Sequence, residues 1–186
     1  MDLPPRLEKQ RTALLLIDMQ EKFRHVIDAM PGVVAQCSRL VRFCAPLGIP
    51  VVATEQYPAG LGHTLPELKG ILPEGVAPLE KTAFSCGGDE GFRRRVAELR
   101  REQWILCGIE THVCVYQTAL DLLRDGRQVA LAADAVSSRR PRDRELGLSR
   151  MRDLGVQVMS TEMILFEILK QAGTDDFRAV AAILKE

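Results

Sequence analysis

The chain reads as an α/β protein, a three-layer α/β/α sandwich around a mainly parallel six-stranded sheet of Rossmann-like type. Two observations carry this. Five short runs are apolar on both faces and bounded by turn residues, the signature of strands covered on both sides. Amphipathic stretches of helical period fall between them, and such alternation implies a doubly wound sheet with right-handed crossovers. No repeat, low-complexity segment or composition break divides the 186 residues, so a single domain over 1–186 is expected, large enough to bury about two-thirds of its unfolded surface.

In chain order, "TALLLID" (12–18) is the first strand and 31–47 the first helix, followed by the strand "IPVVATE" (49–55). A Gly/Pro-rich excursion over 56–78 is mostly irregular, and loops of that length in a compact domain are usually functional or disordered. A weak short strand around "APLEK" ends at Lys81 and precedes a helix near 89–101. "QWILCGI" (103–109), a helix near 112–125 and "RQVALAADA" (127–135) come next. A helix near 141–154, the strand "GVQVMS" (155–160) and helices near 161–171 and 174–185 complete the pattern. Of the apolar residues in the last two helices, Met163, Phe166 and Phe177 are expected to serve the core before an interface.

Composition narrows the function classes. Lys plus Arg equals Asp plus Glu, 25 of each, so neither nucleic acid nor an anionic membrane is an expected partner. The basic clusters at 93–95 and 139–144 read as solvated helix faces. "MDLPPRLEKQ" (1–10) has no apolar leader region, and no apolar run approaches the roughly 18 residues that span a bilayer. Five cysteines at irregular spacing fit free thiols and a cytoplasmic location.

In a doubly wound sheet, ligands bind beyond the carboxyl ends of the strands where strand order reverses. The residues there are Asp18, Glu55, Lys81, the 108–114 turn and Asp134. Helical phase sorts the cysteines. Cys37 and Cys44 share a stripe with Val33, Val34, Leu40 and Val41, and Cys107 lies inside a strand, so all three are core. Cys86, in "SCGG", reads as a bystander. Cys114 has Gln117, Thr118 and Asp121 at i+3, i+4 and i+7, a polar stripe, and sits near a helix start where an anion is favoured. A thiol of ordinary pKa near 8.5 is only about 3% thiolate at pH 7, so a downward shift there would matter. Phase and position leave two readings of Cys114, nucleophile and structural cysteine.

A nucleophile needs a proton acceptor and a site for the oxyanion. His25 and His63 lie in loops, and His112, two residues before Cys114, points away from it on a helix. Asp18 and Lys81 remain. A carboxylate closing "ALLLID" is costly unless paired or functional, which leaves a helix cap or structural ion pair beside a catalytic role. Lys81 is equally readable as a solvated lysine.

"LLIDMQEKF", "LEKTAFS" and "GIETHVCV", in that order, resemble the three signature segments of the isochorismatase-like cysteine hydrolases, a superfamily that includes nicotinamidases and N-carbamoylsarcosine amidohydrolases. "TEQYPAGLG" and "DAVSSR" further resemble the members described as isochorismatase domain-containing proteins. The resemblance implies that family's hydrolase fold and a catalytic set of Asp18, Lys81 and Cys114. Asp18 would take the thiol proton, Lys81 would orient the carboxylate and offset developing charge, and the thiolate would attack a carbonyl to give a thioester. It also implies an oxyanion and cis-peptide turn comprising Ile109, Glu110, Val113 and Cys114, with the cis bond at Ile109–Glu110. Phe23, Glu55, Gln56, Tyr57 and Phe84 are the candidate pocket residues, each equally readable as packing.

Two departures narrow this. Nicotinamidases carry an Asp-x-His and a further His after strand two to bind a metal, whereas this chain has "TEQYPAGLGH" with only His63, so no metal and no cofactor is expected. True isochorismatases lack the cysteine, because vinyl-ether hydrolysis needs acid rather than a thiolate, so Cys114 argues against isochorismate. The reading is a metal-independent hydrolase of a small amide, ureido or ester bond, acting as a homo-oligomer as family members commonly do. The alternative is a catalytically silent or regulatory interaction protein that retains the fold. A thiol redox protein using Cys107 and Cys114 is a third.

Overall fold

The computed structural model describes residues 5–186; the first four residues of the segment read as lacking a leader lie outside it. Six parallel strands form one sheet in the order β3-β2-β1-β4-β5-β6: β1 (Thr12–Ile17), β2 (Val51–Gln56), β3 (Leu79–Lys81), β4 (Gln103–Ile109), β5 (Gln128–Ser137) and β6 (Gln157–Met159). Strand order reverses between β1 and β4, which fixes the switch point beyond Ile17 and Ile109.

The helices are α1 (Met30–Cys44), the short α2 (Pro58–Leu61) and α3 (Pro66–Lys69), α4 (Glu90–Leu99), α5 (Tyr116–Arg124), α6 (Pro141–Asp153), α7 (Thr161–Leu169) and α8 (Asp175–Val180). Alternation along β1 decides the layers, since successive strand side chains point to opposite faces. Leu14 and Leu16 join α1, α7 and α8 in one core, while Ala13, Leu15 and Ile17 join α4, α5 and α6 in the other. Cys107 falls in the first core and Cys114 in the second, so the sheet separates the two sulfurs weighed as a redox pair.

Several elements differ from the sequence reading, each for a physical reason. β2 starts at Val51 rather than 49, because Pro50 has no N–H for a ladder and contributes only its carbonyl, to Leu14 N–H (2.9 Å). The expected helix from 112 begins as a single π-type turn, Thr111–Val115, and becomes α-helical only at Tyr116. β5 runs on to Ser137 through an irregularity that shifts its register against β4 from Leu106↔Leu131 to Gly108↔Val136. Asp134 is therefore inside a strand, and it accepts the N–H and hydroxyl of Thr161 (2.7 and 2.8 Å) at the start of α7. The basic run at 139–144 is solvated at Arg139, Arg140 and Arg142, but only part of it is a helix face. Arg139 and Arg140 precede α6, Arg139 pairs with Glu110, and Arg144 donates to the Val136 carbonyl (3.0 Å). Phe177 packs on the first core as expected, but Met163 and Phe166 stand 56% and 47% exposed.

Gly108 is where the chain most needs glycine. It was read as leading a turn, yet it lies within β4 opposite Ile17, at φ 113°. A Cβ there would sit 2.1 Å from the Ile17 carbonyl oxygen. The absence of a side chain lets the ends of β1 and β4 close on each other, bringing the residues after Ile17 toward those after Ile109. Gly108→Ala is expected to cost about 3 kcal/mol or more, from backbone strain plus the forced separation of β1 and β4. A lowered guanidinium midpoint at unchanged slope checks this.

Candidate active site

Three strand ends and one turn supply the polar groups at the switch point. Asp18 follows β1 in the left-handed region (φ 52°), with its N–H donating to the Thr54 carbonyl (3.2 Å). Lys81 is the last residue of β3, which lies beyond β2, so its side chain reaches toward β1 past β2. Its ammonium donates to Asp18 Oδ2 at 2.8 Å, and both side chains are 1% exposed. Gln56 Oε1 (2.6 Å) and the carbonyls of Ala83 (3.2 Å) and Phe84 (3.1 Å) also accept from it. Three N–H bonds thus meet four acceptors, so this is no solvated lysine. Burial lowers the Lys81 pKa, but the charge of Asp18, with the sulfurs of Cys86 and Cys114, outweighs it and the net shift is upward.

Cys114 lies in the π-type turn, 7% exposed, within the electrostatic reach of Asp18 and Lys81. Its pKa is raised, first by burial and next by the Asp18 charge, with Lys81 opposing. The sequence had placed it at a helix start that would favour a thiolate. Here it is the fourth residue of a turn whose Val113 and Val115 N–H groups already donate to the Glu110 carbonyl (3.0 and 3.2 Å). The resting site therefore holds a neutral thiol beside an ion-paired carboxylate.

The turn is fixed from both ends. The Ile109–Glu110 peptide is cis. The Glu110 carboxylate, read as part of the oxyanion turn, accepts the backbone N–H (2.9 Å) and the Nε–H (3.2 Å) of Arg139. His112 pairs through Nδ1 with Ser138 Oγ (2.9 Å).

The five candidate pocket residues separate. Glu55 is a brace: its carboxylate accepts the N–H and hydroxyl of Thr64 (2.6 and 2.7 Å) and pairs with His63 Nδ1 (3.0 Å). Burial raises its pKa, but these partners together lower it on balance. Gln56 holds Lys81 and donates to the Thr82 carbonyl (2.7 Å), and it exchanges backbone bonds with the side chain of Gln20 (2.8 and 3.0 Å). Phe23 is half-buried against the α1 core, whereas Tyr57 and Phe84 are each 57% exposed. His63, the histidine weighed as a ligand, is committed to Glu55, and among the described residues no group of three or more His, Cys, Asp or Glu is placed to hold a metal ion.

Sequence reasoning missed Thr54. Thr54 donates its hydroxyl to Asp18 Oδ1 (2.7 Å), and Cys86 Sγ lies 3.8 Å from that same hydroxyl. Cys86 starts a short 3₁₀ turn capped by Ser85 and is fully buried. The polar stripe after Cys114 faces this turn: Thr118 Oγ1 accepts the Cys86 N–H (2.9 Å), and Asp121 accepts the Ser85 hydroxyl (2.6 Å). One signal was available. "TEQ" closes a strand buried at all six positions, and three successive buried polar residues need partners.

Comparisons with known proteins agree with this architecture. A family model described as the isochorismatase domain matches residues 12–163. Isochorismatase domain-containing protein 2 of Danio rerio is 42% identical over 179 residues, covering 96% of this chain and 89% of that protein. The protein of the same description from Homo sapiens is 39% identical, covering 94% and 83%. Among solved structures, the MAR1 ribonuclease of Caenorhabditis elegans superposes with a TM-score of 0.93 at 35% identity, covering 98% of this chain and 93% of that one. The YcaC gene product of Escherichia coli, described as an octameric hydrolase of unknown specificity, shares the fold at a TM-score of 0.88 and 23% identity, covering 99% and 89%. A family match running from the first residue of β1 into α7, beside relatives this similar over nearly the whole chain, means that this protein belongs to the isochorismatase domain family.

Proposed function

We propose that this member of a hydrolase family is a metal-independent cysteine hydrolase of small amide, ureido or ester bonds, with Cys114 as nucleophile, Asp18 as general base and acid, and Lys81 as the charge that holds Asp18. The observation that carries the reading is the cluster itself: a carboxylate fixed 2.8 Å from a buried ammonium, beside a buried thiol whose pKa the charge of that carboxylate raises and that of the ammonium lowers. Asp18 takes the Cys114 proton as sulfur attacks the carbonyl carbon, and the carbonyl π electrons move onto oxygen. Backbone N–H of the 110–114 turn receives that oxyanion; the Cys114 N–H is the primary donor, since Val113 N–H is engaged by Glu110. As the tetrahedral centre collapses, Asp18 returns the proton to the leaving nitrogen or oxygen, and the acyl group stays on sulfur. Water then gives its proton to Asp18 and attacks the thioester. The acid departs and the thiol is restored.

The relative described as a ribonuclease offers a second reading, and the exposed Arg140 and Arg142 beyond β5 are the feature that favours it. Balanced charge and a lysine wholly committed to buried acceptors favour the small neutral substrate. A homo-oligomer is proposed on the exposed Met163 and Phe166 of α7, and light scattering is expected to give more than one 20.7 kDa chain per particle.

Iodoacetamide labelling of the five cysteines, mapped by mass spectrometry, tests the mechanism. Because the Cys114 pKa is raised and its proton moves within the Asp18 pair, its labelling is expected to be fastest of the five and nearly flat from about pH 6 to 8. Asp18→Asn should slow labelling at pH 7 and make it climb with pH, and should lower ammonia release from a cleaved amide by about 10²–10⁴-fold. A Cys114 that labels no faster than the others, or Cys114-dependent cleavage of single-stranded RNA, counts against the proposal. Lys81→Met leaves a buried unpaired carboxylate and is expected to cost about 3–5 kcal/mol, most of it recovered in Asp18→Asn/Lys81→Met; denaturant midpoints measure both.

A further inference from the structure

Asp18 has a second side-chain partner beside Lys81. Thr54, opposite Ile17 in β2, accepts the Asp18 N–H at its carbonyl (3.2 Å) and donates its hydroxyl to Asp18 Oδ1 (2.7 Å), so one residue pins both the main chain and the side chain of the base. A hydroxyl has a single proton, and the carboxylate takes it. Cys86 Sγ, 3.8 Å away, therefore faces the Thr54 lone pairs and acts as a donor. Cys86 keeps its own proton, since burial first and the Asp18 charge next push its thiol up to about 11. Its N–H is tied to Thr118, four residues beyond Cys114, so the chain of bonds runs from the nucleophile's helix through Cys86 and Thr54 back to Asp18.

We propose that Thr54, polarised by the Cys86 thiol, is a positioning residue that sets how Asp18 divides its two proton transfers, restraining it as a base toward Cys114 so that it remains an acid toward the leaving group. The inference rests on the Asp18 role proposed above. A hydroxyl bonds a carboxylate more strongly than a carboxylic acid, so the Thr54 contact is strongest while Asp18 is ionised and weakest once it has taken the Cys114 proton. A group that must first take a proton and then return it works best between the extremes of base and acid strength. The Cys86 thiol strengthens this, because a hydroxyl that accepts a hydrogen bond donates a better one.

The consequence is signed, which a merely structural Thr54 would not produce. Alkylation of Cys114 needs its proton removed but no leaving group protonated. In the full chain at pH 7, Thr54→Val is expected to label Cys114 with iodoacetamide about tenfold faster than wild type, equivalent to about 1.4 kcal/mol. Thr54→Ser restores the hydroxyl and should stay within about twofold of wild type, and Cys86→Ala should accelerate about threefold. Cys86 itself should remain unlabelled in Thr54→Val. Unchanged or slower labelling of Cys114 in a folded Thr54→Val overturns the inference, as does concurrent labelling of Cys86, the mark of a loosened site. Should Thr54→Val fail to fold, Cys86→Ala decides: no acceleration overturns it. If wild-type Cys114 labels no faster than in Asp18→Asn, the inference falls together with the role of Asp18. If Asp18→Asn slows labelling and Thr54→Val changes nothing, the inference alone fails.

Discussion

A lysine and an aspartate, each 1% exposed, meet 2.8 Å apart at the carboxyl edge of the sheet, and much of the molecule is arranged around keeping them there. Removing either charge from water costs several kcal/mol, and their mutual attraction offsets this only if the remaining donors and acceptors are also used. They are. Gln56 and two carbonyls of the 82–84 segment complete the ammonium, and Thr54 completes the carboxylate. Each partner comes from the end of β2 or the loop after β3, so the ion pair also dictates how those segments leave the sheet.

This explains why residues that resemble substrate contacts in the sequence turn out to be braces. Glu55 holds the loop at His63 and Thr64, Gln56 locks onto Gln20 and Lys81, and Glu110 anchors the turn to Arg139. A buried charge with three good partners has little left to offer a ligand. The polar groups nearest the cluster thus serve geometry.

The electrostatics also define the state of the Cys114 thiol. Burial and a neighbouring carboxylate raise its pKa, so the fold does not hold it as a standing thiolate.

How far the sequence reached follows from which interactions are local. Doubly apolar runs and helical phase depend on neighbours a few residues apart, and they located six strands, the main helices and the core placement of Cys37, Cys44 and Cys107. The resemblance of three short segments then singled out Asp18, Lys81 and Cys114. The partners of those residues were not legible. Thr54 lies 36 residues from Asp18 and Lys81 lies 63 away, and nothing in a one-dimensional pattern pairs them. Only the order β3-β2-β1-β4, with Gly108 allowing β1 and β4 to touch, places those side chains within bonding distance. The direction of the Cys114 shift was likewise a tertiary decision, because burial and the Asp18 charge belong to the assembled switch point and not to the helix start that the chain alone displays.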